Sequence, residues 1–245
     1  MVFTQHKGVA LVTAAAHGVG RAIALRLASD GYKVAVHDIP HNGDQLIEVY
    51  RNIQRLGQHS MVMTADVTSE KEVKALVEDT YKCFGGFDIM VANASVREVA
   101  PITSGNAISI WDRAFAVNTR GVFLCYKYAA EQLLSEGKGG RIIGACSSLG
   151  ERGSPLLSAY SASQFAIRGL TQSAALELDE YGITVNAYAP KVPDGASDPT
   201  NGVHSKVDKL RLNTLTHQAP QTVADLVSYL VSDEAKNVTG QIMDV

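Results

Sequence analysis

A glycine turn and an aspartate are the first residues here whose types and spacing suggest chemistry. The segment Thr13-Ala14-Ala15-Ala16-His17-Gly18-Val19-Gly20 follows a short apolar run and opens an amphipathic stretch. A glycine-bearing turn at such a junction lets the main chain approach a pyrophosphate, whose charge the N-terminus of the next helix favours. Thr13, Ala15, His17, Gly18, Val19 and Gly20 are therefore the candidate cofactor contacts; His17 also reads as a plain surface histidine. Asp38 lies 18 residues after Gly20, where an acidic side chain accepts the ribose hydroxyls of NAD. A carboxylate there repels a 2′-phosphate, which favours NAD over NADP. The competing reading makes Asp38 a turn residue before Pro40, and its register with the glycine turn favours the cofactor role.

Other chemistries find less support. None of the 7 histidines has metal-ligand spacing, so no metal site is expected. The 3 cysteines, Cys83, Cys125 and Cys146, are too scattered for a disulfide framework or a zinc site, and Cys146 reads as a small core residue. Lys plus Arg total 22 against 25 for Asp plus Glu, a balance that argues against nucleic-acid binding. No stretch approaches a membrane span and no targeting signal stands at either end, so a cytoplasmic protein acting on a small molecule is expected.

Alternating β-type and helical patterns must position these residues. Strands are expected over residues 9–13, 33–38, 60–65, 89–92, 141–146 and 184–188. Helices are expected over 20–30, 44–56, 70–83, 110–136, 160–179 and 221–232. Strands alternating with crossover helices give an α/β chain: one Rossmann-type, doubly wound parallel sheet with helices on both faces, as a single domain over 1–245. Residues 190–220 are polar and rich in turn formers, and read as a substrate lid or a flexible loop.

The motifs along the chain resemble those of the short-chain dehydrogenase/reductase family, with most similarity to its acetoin (diacetyl) reductases and butanediol dehydrogenases. The matching segments are TAAAHGVGRAIALRLA, Ala65-Asp66-Val67-Thr68, Val91-Ala92-Asn93-Ala94-Ser95, WDRAFAVNTRGVFL, CSSLGERGSPLLSAYSAS and GITVNAYAP. The resemblance implies that Asp66 and Val67 flank the adenine and that Asn93 and Ala94 support the cofactor at a strand end. It also places Pro190 and Val192 beside the nicotinamide. Asn118, Ser147, Tyr160 and a lysine four residues after the tyrosine form the family's catalytic tetrad. In such a site the tyrosine delivers a proton to the carbonyl oxygen as hydride arrives, and the serine holds that oxygen. The lysine lowers the tyrosine pKa from its usual value near 10.

This chain departs from that pattern at the lysine. Ser147 lies 13 residues before Tyr160, the family spacing, but Gln164 occupies the lysine position. Gln164 keeps the i, i+4 geometry with Tyr160 and loses the charge; it could still hydrogen-bond a nicotinamide ribose. Reduction, which needs a neutral tyrosine, should therefore survive better than alcohol oxidation, which needs a base. Ala14 and Ser95 replace family glycines, and Lys191 follows Pro190 where glycine is usual. Lys191 reads as a solvated loop charge, with a replacement cation over the site as the alternative. The ending Gly240-Gln241-Ile242-Met243-Asp244-Val245 is expected to fall short of the family's last strand, which bears on its usual homodimer or homotetramer. Three functions share this scaffold: an NAD-dependent oxidoreductase on a ketone, diketone or secondary alcohol; a non-redox isomerase, dehydratase or cyclase using Tyr160 and Ser147; and a non-catalytic nucleotide-binding protein.

Overall fold

A computed structural model of the protein describes residues 6–191 and 220–245. Among these, seven strands form one sheet: β1 (Val9–Val12), β2 (Lys33–Asp38), β3 (Ser60–Thr64), β4 (Ile89–Ala92), β5 (Gly140–Ala145), β6 (Ile183–Ala189) and β7 (Ile242–Asp244). The order is β3-β2-β1-β4-β5-β6-β7, parallel throughout. This is the Rossmann-type α/β architecture expected from the alternation of patterns.

Parallel strands need crossover connections, so helices cover both faces. Along β1, Ala10 and Val12 pack on one side and Leu11 on the other, the period-2 alternation of a sheet buried twice. Helices α1 (Gly18–Ser29), α2 (Gly43–Arg55) and α7 (Pro220–Val231) supply the core of the first side. The other side is built by α3 (Glu70–Phe84), α5 (Val122–Glu136) and α6 (Ser158–Leu178). The crossovers diverge between β1 and β4, which opens a crevice beyond the carboxyl ends of those strands.

Two expectations are corrected. The C-terminal residues do form a last strand: β7 pairs with β6 from Ala187 to Ala189. Asn186, fully buried, makes this happen. Its amide donates to Val238 O at 2.7 Å and its Oδ1 accepts from Gln241 N at 3.0 Å, turning the chain back alongside β6. The helix expected over 110–136 is not continuous either. It starts at α4 (Ala107–Ala114), passes through a π-helical turn at Phe115–Gly121, and resumes as α5. Gly121 lets that turn press on the chain beside it, because a Cβ would meet Val67 Cγ2 at 3.0 Å and Val67 O at 3.3 Å.

Candidate active site

The glycine turn joins β1 to α1 at the crevice. Gly20 is buried in it, and a Cβ there would overlap the Ala14 carbonyl oxygen and crowd the Asn93 amide. Asn93 Nδ2 donates to Thr13 O at 2.9 Å and to Ala14 O at 3.1 Å, while Tyr188 donates its hydroxyl to Asn93 Oδ1. Thr13 Oγ1 donates to Val91 O and accepts from the main-chain amides of Asn93 and Ala94. Thr13 and Asn93 therefore tie the ends of β1 and β4 together. Thr13, expected as a cofactor contact, is fully buried and turned inward.

Gly18 and Ala14 both have φ of +49°. Glycine adopts this conformation freely, whereas alanine incurs about 1–2 kcal/mol. Ala14→Gly should therefore stabilise the fold by about 0.5–1 kcal/mol after the glycine's extra unfolded-state freedom is counted. Thermal unfolding should show a midpoint higher by about 1–4 °C; an unchanged or lower midpoint would show the turn to be relaxed as it stands.

A cavity of about 530 Å³ opens beyond the turn, with Ala14, His17, Asp38, Asp66, Val67 and Ala94 in its lining. Five of the expected cofactor residues, His17, Asp38, Asp66, Val67 and Ala94, thus share one cavity. Ala15 and Gly20 are buried behind it, and Gly18 and Val19 form the first turn of α1. Asp38 Oδ1 accepts from Ile39 N and Asn42 Nδ2, both at 2.8 Å, and Oδ2 accepts from Ala16 N at 3.0 Å. A carboxylate has about four acceptor positions, so these three donors fix its orientation and leave capacity toward the cavity. His37 also lines the cavity, with Nε2 bonded to Ala65 O at 3.1 Å and Nδ1 buried without a partner. Burial pushes its pKa down, so the ring is neutral at neutral pH. Asp66 is exposed and accepts from Thr68 N at 2.8 Å, shaping the turn that carries buried Val67.

Ser147 follows β5 and Tyr160 lies in the first turn of α6. Ser147 Oγ accepts from Leu149 N at 3.2 Å. Burial raises the Tyr160 pKa above the usual tyrosine range, against the lowering influence of the Ser147 and Ser95 hydroxyls and of the Arg97 guanidinium. Asn118 sits within the π turn, fully enclosed. Its Oδ1 accepts from Val96 N at 2.8 Å and Ser95 Oγ at 3.3 Å; its Nδ2 donates to Val96 O at 2.9 Å and Ser163 Oγ at 3.0 Å. Ser163 Oγ donates in turn to the Tyr160 carbonyl at 2.7 Å. Asn118 thus locks the segment after β4 onto the tyrosine's helix.

Gln164 lies one turn beyond Tyr160 and is 1% exposed, with Oε1 buried and unpartnered. Such an atom costs about 1–3 kcal/mol unless a donor reaches it. Lys191 does not replace the missing charge. It is exposed, 3.8 Å from Asp244, and its amide bonds to Val245 O beside β7. Pro190 O accepts from Ser148 N at 3.3 Å, which keeps β6 close to the serine loop. Val192 and most of the expected lid over 190–220 lie outside the described residues. Cys146 is buried, its thiol directed at Gln164 O, and burial raises its pKa. Among the described residues no group of three or more His, Cys, Asp or Glu is placed to hold a metal, and no helix is long and apolar enough to cross a membrane.

Arg97 was not singled out by sequence, and Ser95 was read only as a substituted glycine. Both lie on the segment after β4, which the Asn118 amide holds through Val96. The signal available for Ser95 was a hydroxyl where the pattern has none.

Residues 8–201 match the family model for short chain dehydrogenase. A short-chain dehydrogenase/reductase of Armillaria gallica is 45% identical, over 97% of this chain and 94% of its own length. The L-2,3-butanediol dehydrogenase of Corynebacterium glutamicum is 35% identical, over 96% and 95%. The crystal structure of acetoin dehydrogenase YohF from Salmonella typhimurium superposes with a TM-score of 0.82 at 30% identity, covering 97% of this chain and 94% of that one. Sheet order, motif order and full-length likeness agree, and the chain belongs to the short-chain dehydrogenase family.

Proposed function

We propose that this protein is a carbonyl reductase that uses NADH and acts on a small ketone or diketone, with Gln164 in place of the usual lysine. The observation that carries the reading is the cavity bordered by Asp38 and Ser95, with Ser95 bonded to the Asn118 amide that also holds the helix of a neutral Tyr160. The residues present fit a nicotinamide dinucleotide. Gly20 leaves its space to the main chain, Asp38 keeps acceptor capacity toward the cavity, and Gln164 Oε1 awaits a hydroxyl donor. Bound there, the reduced cofactor supplies the hydride that goes to the carbonyl carbon.

The chain's own groups do the rest. Ser147 Oγ donates to the carbonyl oxygen and orients it. Tyr160 Oη gives its proton to that oxygen as negative charge builds, and keeps the electron pair as phenolate. Asp38 would accept the adenosine ribose hydroxyls, Asp66 and Val67 would border the adenine, and Pro190 would lie on the nicotinamide side. The names of the butanediol dehydrogenase and acetoin dehydrogenase relatives support a small oxygenated C–C substrate. A non-redox reading would need acid–base chemistry without hydride, and the retained Asp38 cavity favours the redox one.

We further propose that residues 1–245 work as one domain within a homodimer or homotetramer formed through α5 and α6. Exposed Phe123 and Leu134 on α5, and Phe165 and Leu176 on α6, support that.

The test is a diacetyl and acetoin reduction assay with NADH and NADPH, beside the Asp38→Asn variant. NADH should be preferred, and the variant, which removes the negative charge while keeping an acceptor, should narrow the preference by about 10–100-fold. NADH neither binding nor turning over any ketone of such a panel would remove the proposal.

A further inference from the structure

Tyr188 is buried on β6, and β5 and β4 lie between it and the strand that carries the glycine turn. It bonds in two directions. Its main-chain oxygen accepts from Cys146 N at 2.9 Å, which fixes the end of β5 just before Ser147. Its side chain crosses β5 on the face of Ala145, the residue opposite it, whose single methyl group leaves room for the ring. Beyond β5 the hydroxyl donates to Asn93 Oδ1 at 2.5 Å. Asn93 Nδ2 donates in turn to the end of β1, to Thr13 O at 2.9 Å and Ala14 O at 3.1 Å. Ala14 O and Asn93 Nδ2 are also the groups packed against Gly20, and Ala14 lines the cavity.

We propose that Tyr188 is a positioning residue for the cofactor turn, acting through Asn93: its hydroxyl holds the amide in the orientation that fixes the Ala14 carbonyl. The inference rests on the reductase reading for what the turn holds, a nicotinamide dinucleotide. A carboxamide oxygen only accepts, so the tyrosine is the donor of this pair. Its donation polarises the amide and strengthens the N–H bonds on the far side. Without the hydroxyl, Oδ1 becomes a buried acceptor with no donor, and the amide gains by swinging toward another one. Ala14 is where that release matters most. Its φ of +49° is unfavourable for a residue with a Cβ, so the turn relaxes once its carbonyl is no longer held. The main chain then leaves the geometry in which it approaches a pyrophosphate. The bond to Cys146 comes from the main chain and survives in Tyr188→Phe, so the serine keeps its place. Cofactor affinity and chemistry therefore separate at this one side chain.

The experiment reads Tyr188→Phe with and without cofactor. Calorimetry should show NADH binding weakened by about 10-fold, the scale of one buried hydrogen bond. In diacetyl reduction the KM for NADH should rise by a similar factor, with kcat and the KM for diacetyl parental. In protein without cofactor, nitrogen-15 NMR should show faster hydrogen exchange at the Asn93 side-chain amide, assigned by its loss in Asn93→Ala, and a displaced Gly20 amide signal. In the Asn93→Ala background Tyr188→Phe should leave NADH affinity unchanged, since the connection is already gone. A lower unfolding midpoint with parental affinity and parental exchange would make Tyr188 a packing residue and overturn the proposal. So would an undiminished loss of affinity in the Asn93→Ala background. A parent protein that binds no NADH would remove the reductase reading, and the exchange measurement would then decide the positioning alone. Accelerated exchange with a displaced Gly20 signal sustains it, and parental exchange overturns it.

Discussion

Tyr160→Phe should cut ketone reduction by about 10²–10⁴-fold, the usual contribution of a positioned proton donor. The ring and its packing remain, so the thermal midpoint should stay within about 4 °C of the parent, the loss of one hydrogen bond. The pH profile adds a second signature. Burial raises the Tyr160 pKa, so the hydroxyl is neutral across the neutral range. Reduction, which uses that neutral form, should therefore run flat from neutral to alkaline pH and fall only as the tyrosine ionises. Alcohol oxidation uses the phenolate and should climb over the same interval. Both limbs should vanish in Tyr160→Phe. Reduction that persists at parental rate in the variant would take Tyr160 out of the mechanism, and with it the reductase reading.

The second large effect is expected at Gly20→Ala. A single methyl group there overlaps a backbone carbonyl, that of Ala14, and crowds the Asn93 amide that ties β1 to β4. Neither is the free end of a flexible side chain, so the turn itself has to move. About 3 kcal/mol or more should be lost, or about 6–12 °C in unfolding midpoint for a chain of this size. NADH binding, measured by calorimetry below the new midpoint, should weaken as well, because the displaced turn is the one that approaches the pyrophosphate. A variant with parental stability and parental affinity would show that this packing does not hold the turn.

Much of this architecture was legible in the sequence because it rests on local periodicity. The apolar runs at β1, β4 and β6 and the helical spacing of α1 and α3 are visible within their own windows. Asp38 was legible as well, being tied by register to the glycine turn. The β7 strand was not, since three residues that are only partly apolar become a strand through Asn186, more than fifty positions away. Nor was the break at Phe115–Gly121, where no proline marks a stop and the irregularity answers to Asn118 and Val67. At the site, Ser147, Tyr160 and Gln164 could be picked out by spacing. Arg97 could not, because one arginine in a polar segment has no pattern; its influence on the tyrosine depends on the segment that Asn118 clamps through Val96. Lys191 shows the converse: a lone cation at a suggestive position, which the folded chain pairs with Asp244 instead.

The π turn has one more consequence, for the rotational phase of the rod that contains it. Each helical residue advances about 100° around the axis, and a π turn holds one residue more than the α turn it replaces. Val122, Cys125, Ala129 and Leu133 on α5 face the sheet only because that surplus residue comes before them. Losing any one residue between Phe115 and Gly121 would swing this stripe by about a quarter turn toward solvent and move Asn118 off the segment that carries Ser95 and Arg97. Core and catalytic machinery are thus timed by the same irregular turn, and the length of this stretch of chain is as constrained as its composition.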